Sequence, residues 1–169
     1  PRRLAAANDA PRLTGTQATL AAGTEDTAFT VTTAQLLQGF TDPDGTTPVV
    51  TNLTVDHGSI AEDGAGGYTI TPADNYNGPI TISYRVGDGT VSLPASLSTT
   101  LAAENDAPVL VQPASVTIAE NAAPGTVIAT LAATDVDDAT AALRYAITDG
   151  NADGLFAIDA VTGAVTLAA

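Results

Sequence analysis

The chain has 169 residues, with 19 Asp plus Glu against 5 basic residues, all of them Arg, for a formal charge of −14. That balance argues against nucleic acid and anionic membrane surfaces as partners, because both reward clustered Lys or Arg, and it suits a cation. The absence of cysteine excludes a disulfide scaffold or a thiolate metal site, and a hydrophobic content of 44% is too high for a disordered acidic chain.

In chain order, the opening "PRRLAAANDAP" has basic residues but no long apolar core, so it does not read as a signal peptide. Alternating runs rich in Val, Ile, Thr and Tyr follow and predict strands at "AFTV" (28–31), "PVVTNLTV" (48–55), "GYTIT" (67–71), "ITISYRV" (80–86) and "VSLPASLSTTL" (91–101). Turn signals separate them, at "DPDG", "EDGAGG", "NYNG" and "GDG". The helical candidate is "TAQLLQGF", with Thr33 as cap and Gly39 as stop. In the last third, "SVTIAE", "GTVIATLAAT", "LRYAIT", "LFAID" and "AVTLA" continue the strand pattern. Strands spaced by turns every few residues predict an all-β antiparallel sandwich rather than βαβ units. No run approaches the length of a transmembrane helix, so direct membrane insertion is not expected.

A tetrapeptide repeats. Asn-Asp-Ala-Pro stands at Asn8 to Pro11 and again at Asn105 to Pro108, a period of 97 residues that fits one β-sandwich module of roughly 100. The expected domains are 1–7, the end of a preceding module or a linker; 8–104, a first module; and 105–169, a second module too short by the same ruler and expected to lack its last strands. The chain is accordingly expected to be a piece of a longer protein. Each copy carries an acidic residue at matched position, Glu25 in "TEDT" and Glu120 in "AENA", and then an Asp-x-Asp, Asp42 and Asp44 in "TDPDG" and Asp135 and Asp137 in "TDVDD".

Turns are rich in Asp and Asn for conformational reasons alone. They need no fixed order of Asn-Asp-Ala-Pro, Glu and Asp-x-Asp, however, and the ordered carboxylates point to Ca²⁺, which takes about six to eight hard oxygen ligands at flexible angles. On an extended segment the two carboxylates of Asp-x-Asp project to one side. "DGNADG" at 149–154 matches the first half of an EF-hand loop, but Ala160 stands where a bidentate Glu is needed and the flanks read as strands. No enzyme signature is present: His57 is the lone histidine and "HGS" reads as a hairpin turn, and no phosphate loop, nucleophile elbow or zinc-protease motif occurs. "NLT" at Asn52 fits the N-glycosylation triplet, a pattern that arises often by chance.

The second copy, with Asn-Asp-Ala-Pro, Glu-Asn before Pro-Gly-Thr, Ala-Thr-Asp-x-Asp, Gly-Asn before Phe-x-Ile-Asp and a Thr-Gly turn, resembles a cadherin repeat over its available length. The first, with "TEDTAF", "LLQGFTDPDG", "YTITPADNYNGP" and "YRVGDG", is similar to the cadherin-like repeats found in tandem in large secreted bacterial adhesins of the RTX type. The resemblance implies tandem cadherin-like, immunoglobulin-like sandwiches with Ca²⁺ held between consecutive domains. It would draw Glu25 and Asp74 from the base of the first module, Glu104, Asn105 and Asp106 from the linker, and Asp135, Asp137 and Asn151 from the top of the second. Asn8, Asp9, Asp42, Asp44 and Asp88 would form the matching half-site toward a preceding module. The linker is one residue shorter than the animal Asn-Asp-Asn pattern, and "ADNYNG" stands in place of an Asp-Arg-Glu.

Two functions follow as expectations. One is a calcium-rigidified spacer in an extracellular or bacterial-surface protein, not an enzyme, serving cell adhesion or assembly with neighbouring repeats of the same protein as partners. The other is a module that itself binds a surface polysaccharide or another adhesin. A carbohydrate platform uses exposed aromatics, and the chain has only 4 Tyr and 3 Phe, which favours the spacer.

Overall fold

A computed structural model describes residues 7–111, 116–138 and 140–168. The chain divides into two compact units, Pro1–Glu104 and Asn105–Ala169. It is an all-β protein of antiparallel sandwich type, and among the described residues no helix is long and apolar enough to cross a membrane.

The first unit contains β1 (Arg12–Leu13), β2 (Gly23–Thr24), β3 (Phe29–Thr32), α1 (Thr33–Leu37), β4 (Phe40–Thr41), β5 (Val49–Val55), β6 (Gly58–Glu62), β7 (Gly67–Pro72), β8 (Gly78–Gly87) and β9 (Ser92–Ala102). One sheet has the order β2-β9-β8-β5, the other β3-β7-β6, and β1 pairs with β4 in a short ribbon. Period-two alternation builds the core: Ile80, Ile82, Tyr84 and Val86 of β8 are buried, while Ser83 between them is exposed. They pack with Val31 and Ile70 of the other sheet and with Leu36 of α1.

All five strands expected in this unit form, within a residue or two of the predicted ends. The helix starts one residue differently. Its cap is Thr32, not Thr33, because Thr32 Oγ1 accepts the Gln35 N–H while Gln35 Oε1 accepts the Thr32 N–H, a reciprocal capping box. The expected turn at Gly58-Ser59 lies earlier, at Asp56-His57; Gly58 and Ser59 already pair with Pro72 and Thr71 as the start of β6. A Cβ on Gly58 would fall 2.3 Å from the Thr71 carbonyl oxygen, so this glycine serves close strand approach rather than a turn.

The second unit contains β10 (Val109–Val111), β11 (Val127–Thr130), β12 (Ala132–Thr134), β13 (Phe156–Ile158) and β14 (Ala164–Leu167), with a 3₁₀ turn at Thr140–Ala142. β10 pairs with β12, and β14 lies between β11 and β13. Two expected strands do not form. In "SVTIAE" the described residues 116–120 carry no strand, and Ser115 lies outside the described residues; "LRYAIT" is irregular. Alternation marks a face, but a strand also needs a partner. Tyr145 N–H reaches the Ala160 carbonyl, whereas Leu143 N–H turns back to Thr140 and the Arg144 guanidinium to the carbonyls of residues 142 and 143. Conversely, "VLV" directly after the repeated tetrapeptide was not expected as a strand and forms β10.

Candidate functional site

The repeated tetrapeptide is tied to the Asp-x-Asp by the same bonds in each unit. In the first, the Asp9 N–H donates to Asp44 Oδ2 at 2.7 Å, and the Asp44 N–H donates to Asp42 Oδ1 at 2.8 Å. In the second, the Asp106 N–H donates to Asp137 Oδ2 at 2.6 Å, and the Asp137 N–H to Asp135 Oδ1 at 2.9 Å. The asparagine ahead of each aspartate also turns its amide onto that aspartate's carbonyl, Asn8 to Asp9 and Asn105 to Asp106. An Asp whose side chain accepts an N–H two residues on forms an Asx turn, which is why this residue type begins each loop. Pro11, lacking an N–H, is fully buried without orphaning a donor.

At this end of the first unit the site gathers five predicted residues. Asp88 Oδ1 accepts the N–H groups of Thr90 and Val91, and its Oδ2 accepts the Asn8 amide at 2.8 Å. Those bonds, Val91 and Thr90 first and Asn8 next, hold the Asp88 carboxyl below its ordinary value. Asp42 Oδ2 is buried and has no hydrogen-bond partner. A buried carboxylate oxygen without a donor is costly unless a cation meets it. Arg12 lies 3.3 Å from Asp9 Oδ1 in an exposed pair.

At the other end of the same unit, Glu25 is 1% exposed, the one charged side chain among the buried described residues. Its Oε1 accepts the Glu104 N–H at 2.8 Å and its Oε2 the Asn77 side-chain amide at 3.2 Å. Glu104 therefore contributes its backbone here. Asp26, with φ +54°, accepts the Asn75 N–H at 2.9 Å, while Asp74 sits exposed in the turn beside Asn75. Asn77 and Asp26 were not singled out in the sequence: Asp26 stands in "TEDT" beside Glu25, but the second copy has Asn121 at its place, and the "NG" that marked a turn is the signal that contains Asn77.

In the second unit Asp135 Oδ1 also accepts the Asp138 N–H. Asn151 is used inside its own loop: its Oδ1 accepts the Phe156 N–H at 3.0 Å and its amide donates to the Phe156 carbonyl at 2.8 Å, so the side chain imitates a strand partner. Asp149 bonds the adjacent Gly150 N–H, and Glu120 is exposed. Among the described residues, no three carboxylate or imidazole groups converge as a ready cage for an ion. The geometry instead groups hard oxygens at separate loops, held in place by backbone N–H groups. His57 stacks on Tyr76 at 3.9 Å between centroids and lies 3.2 Å from Asp56 Oδ1.

The cadherin-like domain family matches residues 7–102, and the cadherin domain family matches residues 114–169. Among solved structures, human protocadherin-24 EC1-2 is similar at 21% identity over 96% of this chain and 80% of that one, with a TM-score of 0.48. Mouse clustered PcdhgC3 EC1-3 is 20% identical over 96% of this chain and 57% of that one, TM-score 0.38. The protocadherin gammaB7 EC3-6 cis-dimer structure is 19% identical over 95% and 42%, TM-score 0.42. No curated protein matches the chain.

Proposed function

Since the chain belongs to the cadherin-like domain family, whose members are generally extracellular adhesion modules, we propose that its two units are calcium-binding spacer repeats of a secreted or surface-exposed bacterial adhesin. The observation that carries the calcium reading is Asp42 Oδ2, buried without a hydrogen-bond donor in a group of Asn8, Asp9, Asp44 and Asp88. The donor set fits the ion: every side chain offered is a carboxylate or amide oxygen, with no thiolate or imidazole, which suits Ca²⁺ over softer metals. Asp42, Asp44, Asp88, Asp9 and Asn8 would hold it at the start of the first unit, and Asp135, Asp137, Asp106 and Asn105 at the start of the second. Glu104, Asp74 and Glu25, whose two oxygens already accept N–H bonds, are the carboxylates at the end of the first. When bound, the ion supplies charge neutralisation and a rigid cross-link between the linker and the Asp-x-Asp loop. The protein's own part is to pre-position those loops through the paired N–H bonds. The bacterial setting is supported by the likeness of "TEDTAF" and "YRVGDG" to adhesin repeats.

The test is the paired variants Asp42→Ala with Asp44→Ala and Asp135→Ala with Asp137→Ala, compared with the parent by thermal melting and small-angle scattering without and with about 5 mM Ca²⁺, above the 10⁻⁴ to 10⁻³ M range of extracellular modules. The parent is expected to melt higher and scatter as a stiffer particle with calcium, because a ligand of the folded state stabilises it. Each double variant should show a smaller shift. Identical responses in all three, or none in the parent, would return the acidic loops to solvated turns.

A further inference from the structure

Glu25 is fully buried, yet it is spent neither on an ion pair nor on a neighbour in its own strand. β2 runs parallel to β9, pairing Gly23 with Leu101 and Thr24 with Ala102, and the Glu25 N–H donates to the Ala102 carbonyl at 3.0 Å as the last backbone bond of that ladder. Beyond Ala102 the chain leaves the sheet. One step further out, the Glu25 carboxylate takes over the ladder's role and accepts the Glu104 N–H at 2.8 Å. Its second oxygen is held by Asn77, which immediately precedes β8, and the same loop is fixed by Tyr76, whose hydroxyl donates to the Pro79 carbonyl at 2.7 Å. Three segments far apart in sequence thus meet on one carboxylate at the exit of the first unit.

We infer that Glu25, positioned by Asn77, is a clamp that fixes the direction in which the chain leaves the first unit at Glu104, and that it acts without any metal ion. An ionised carboxylate is the side chain suited to this. It accepts from both donors at once, each bond is charge-assisted, and its length lets it reach past the end of a ladder that no further strand continues. A glutamine would satisfy Glu104 with its oxygen but would face the Asn77 amide with a second N–H₂ group, donor against donor. The clamp goes beyond the calcium reading and does not depend on it: it orders Ala103 and Glu104 in advance, so that a cation would meet an exit already aimed.

Amide hydrogen exchange of the 169-residue chain in EDTA tests this directly. The Glu104 amide is expected to be protected, and Glu25→Ala should speed its exchange by about 10- to 100-fold, the effect of losing a hydrogen bond to a charged acceptor. The Ile82 amide in β8 should keep its protection. Asn77→Ala, which removes only the positioning bond, should speed Glu104 exchange by a smaller factor. The clamp is overturned if Glu104 exchanges at the rate of an unstructured peptide in the parent, if Glu25→Ala leaves it unchanged, or if Glu104 and Ile82 lose protection in step. Repeating the measurement with calcium in place of EDTA tests the cation reading separately.

Discussion

The Asp9 amide donates to Asp44 Oδ2 at 2.7 Å, and 97 residues later Asp106 repeats the bond to Asp137 Oδ2 at 2.6 Å. Two diverged modules have kept a backbone-to-carboxylate bond that ties the entering segment to the Asp-x-Asp loop. Asp44→Ala should release the segment ahead of Pro11, and Asp137→Ala the segment ahead of Pro108. Each acceptor is exposed, so the cost to global stability should be about 1 kcal/mol or less. The local effect should be larger: the Asp9 or Asp106 amide should exchange several-fold faster while the sheet amides do not change. Unaltered exchange at these amides would show that the bond does not hold in solution.

Acid should loosen the β6–β7 turn through Asp63. Its Oδ1 accepts the N–H groups of Ala65 at 2.7 Å and Gly67 at 2.9 Å, and these bonds, Ala65 first, hold its carboxyl below 3.8. Because the folded value is depressed, the contribution is fully present above the unfolded value near pH 4 and is lost as pH falls through the lower folded value. Asp63→Asn keeps an acceptor oxygen but no charge. Its stability should therefore lie below the parent's at neutral pH and converge with it as the pH falls through the depressed folded value. Urea titrations at several pH values check this; a parallel offset at all pH values would remove Asp63 as the source.

The five expected strands of the first unit were legible because period and pairing coincide there, whereas the short β1, β2 and β4, and β6 with its opening Gly58-Ser59, were not. β8 alternates, and β5 and β9 on either side alternate with it, so sequence period and pairing agree. The order of Asp-x-Asp after Asn-Asp-Ala-Pro was legible because the chain prints it twice. What was not legible depends on contacts distant in sequence. Asn77 matters because Glu25 lies 52 positions earlier, and Asp26 because Asn75 comes 49 later. "LRYAIT" has the alternation of a strand, yet an alternating sequence does not reveal whether a partner strand stands beside it.

Tyr84 joins the sheet to the helix. Its hydroxyl, in a site where burial raises the phenol's pKa above 10.0, donates to the Leu36 carbonyl at 2.8 Å. Leu36 lies in the last turn of α1 (Thr33–Leu37), whose terminal carbonyls need such partners. Tyr84→Phe preserves the ring packing and strands that carbonyl, so it should cost about 1–3 kcal/mol in urea unfolding. A change within error would mean that water replaces the hydroxyl.

The two units should differ in stability within one chain. The first has a core in which Leu36, Ile70, Ile80 and Val86 have no exposed surface. In the second, the described hydrophobic residues that reach the buried class are Ala133 and Leu143, while Val109 is 65% exposed and Val127 59%. Apolar burial is the main favourable term in folding, at about 25 cal/mol per Å², so a unit that leaves its strand valines in water has little to set against chain entropy. Thermal unfolding of the whole chain should accordingly show two steps, the second unit melting first, and the β14 amide of Val165 should exchange about 100-fold or more faster than that of Ile82 in β8. A pair of substitutions separates the cause from simple strand length. Leu36→Ala should cost about 2–5 kcal/mol in the second, higher melting step, because it opens a cavity in a close-packed site. Leu143→Ala should affect only the first step, and by less, since its surroundings are already open enough to relax or admit water. Equal costs at Leu36 and Leu143, or a single cooperative melt with Val165 as protected as Ile82, would show that the second unit is as well packed as the first.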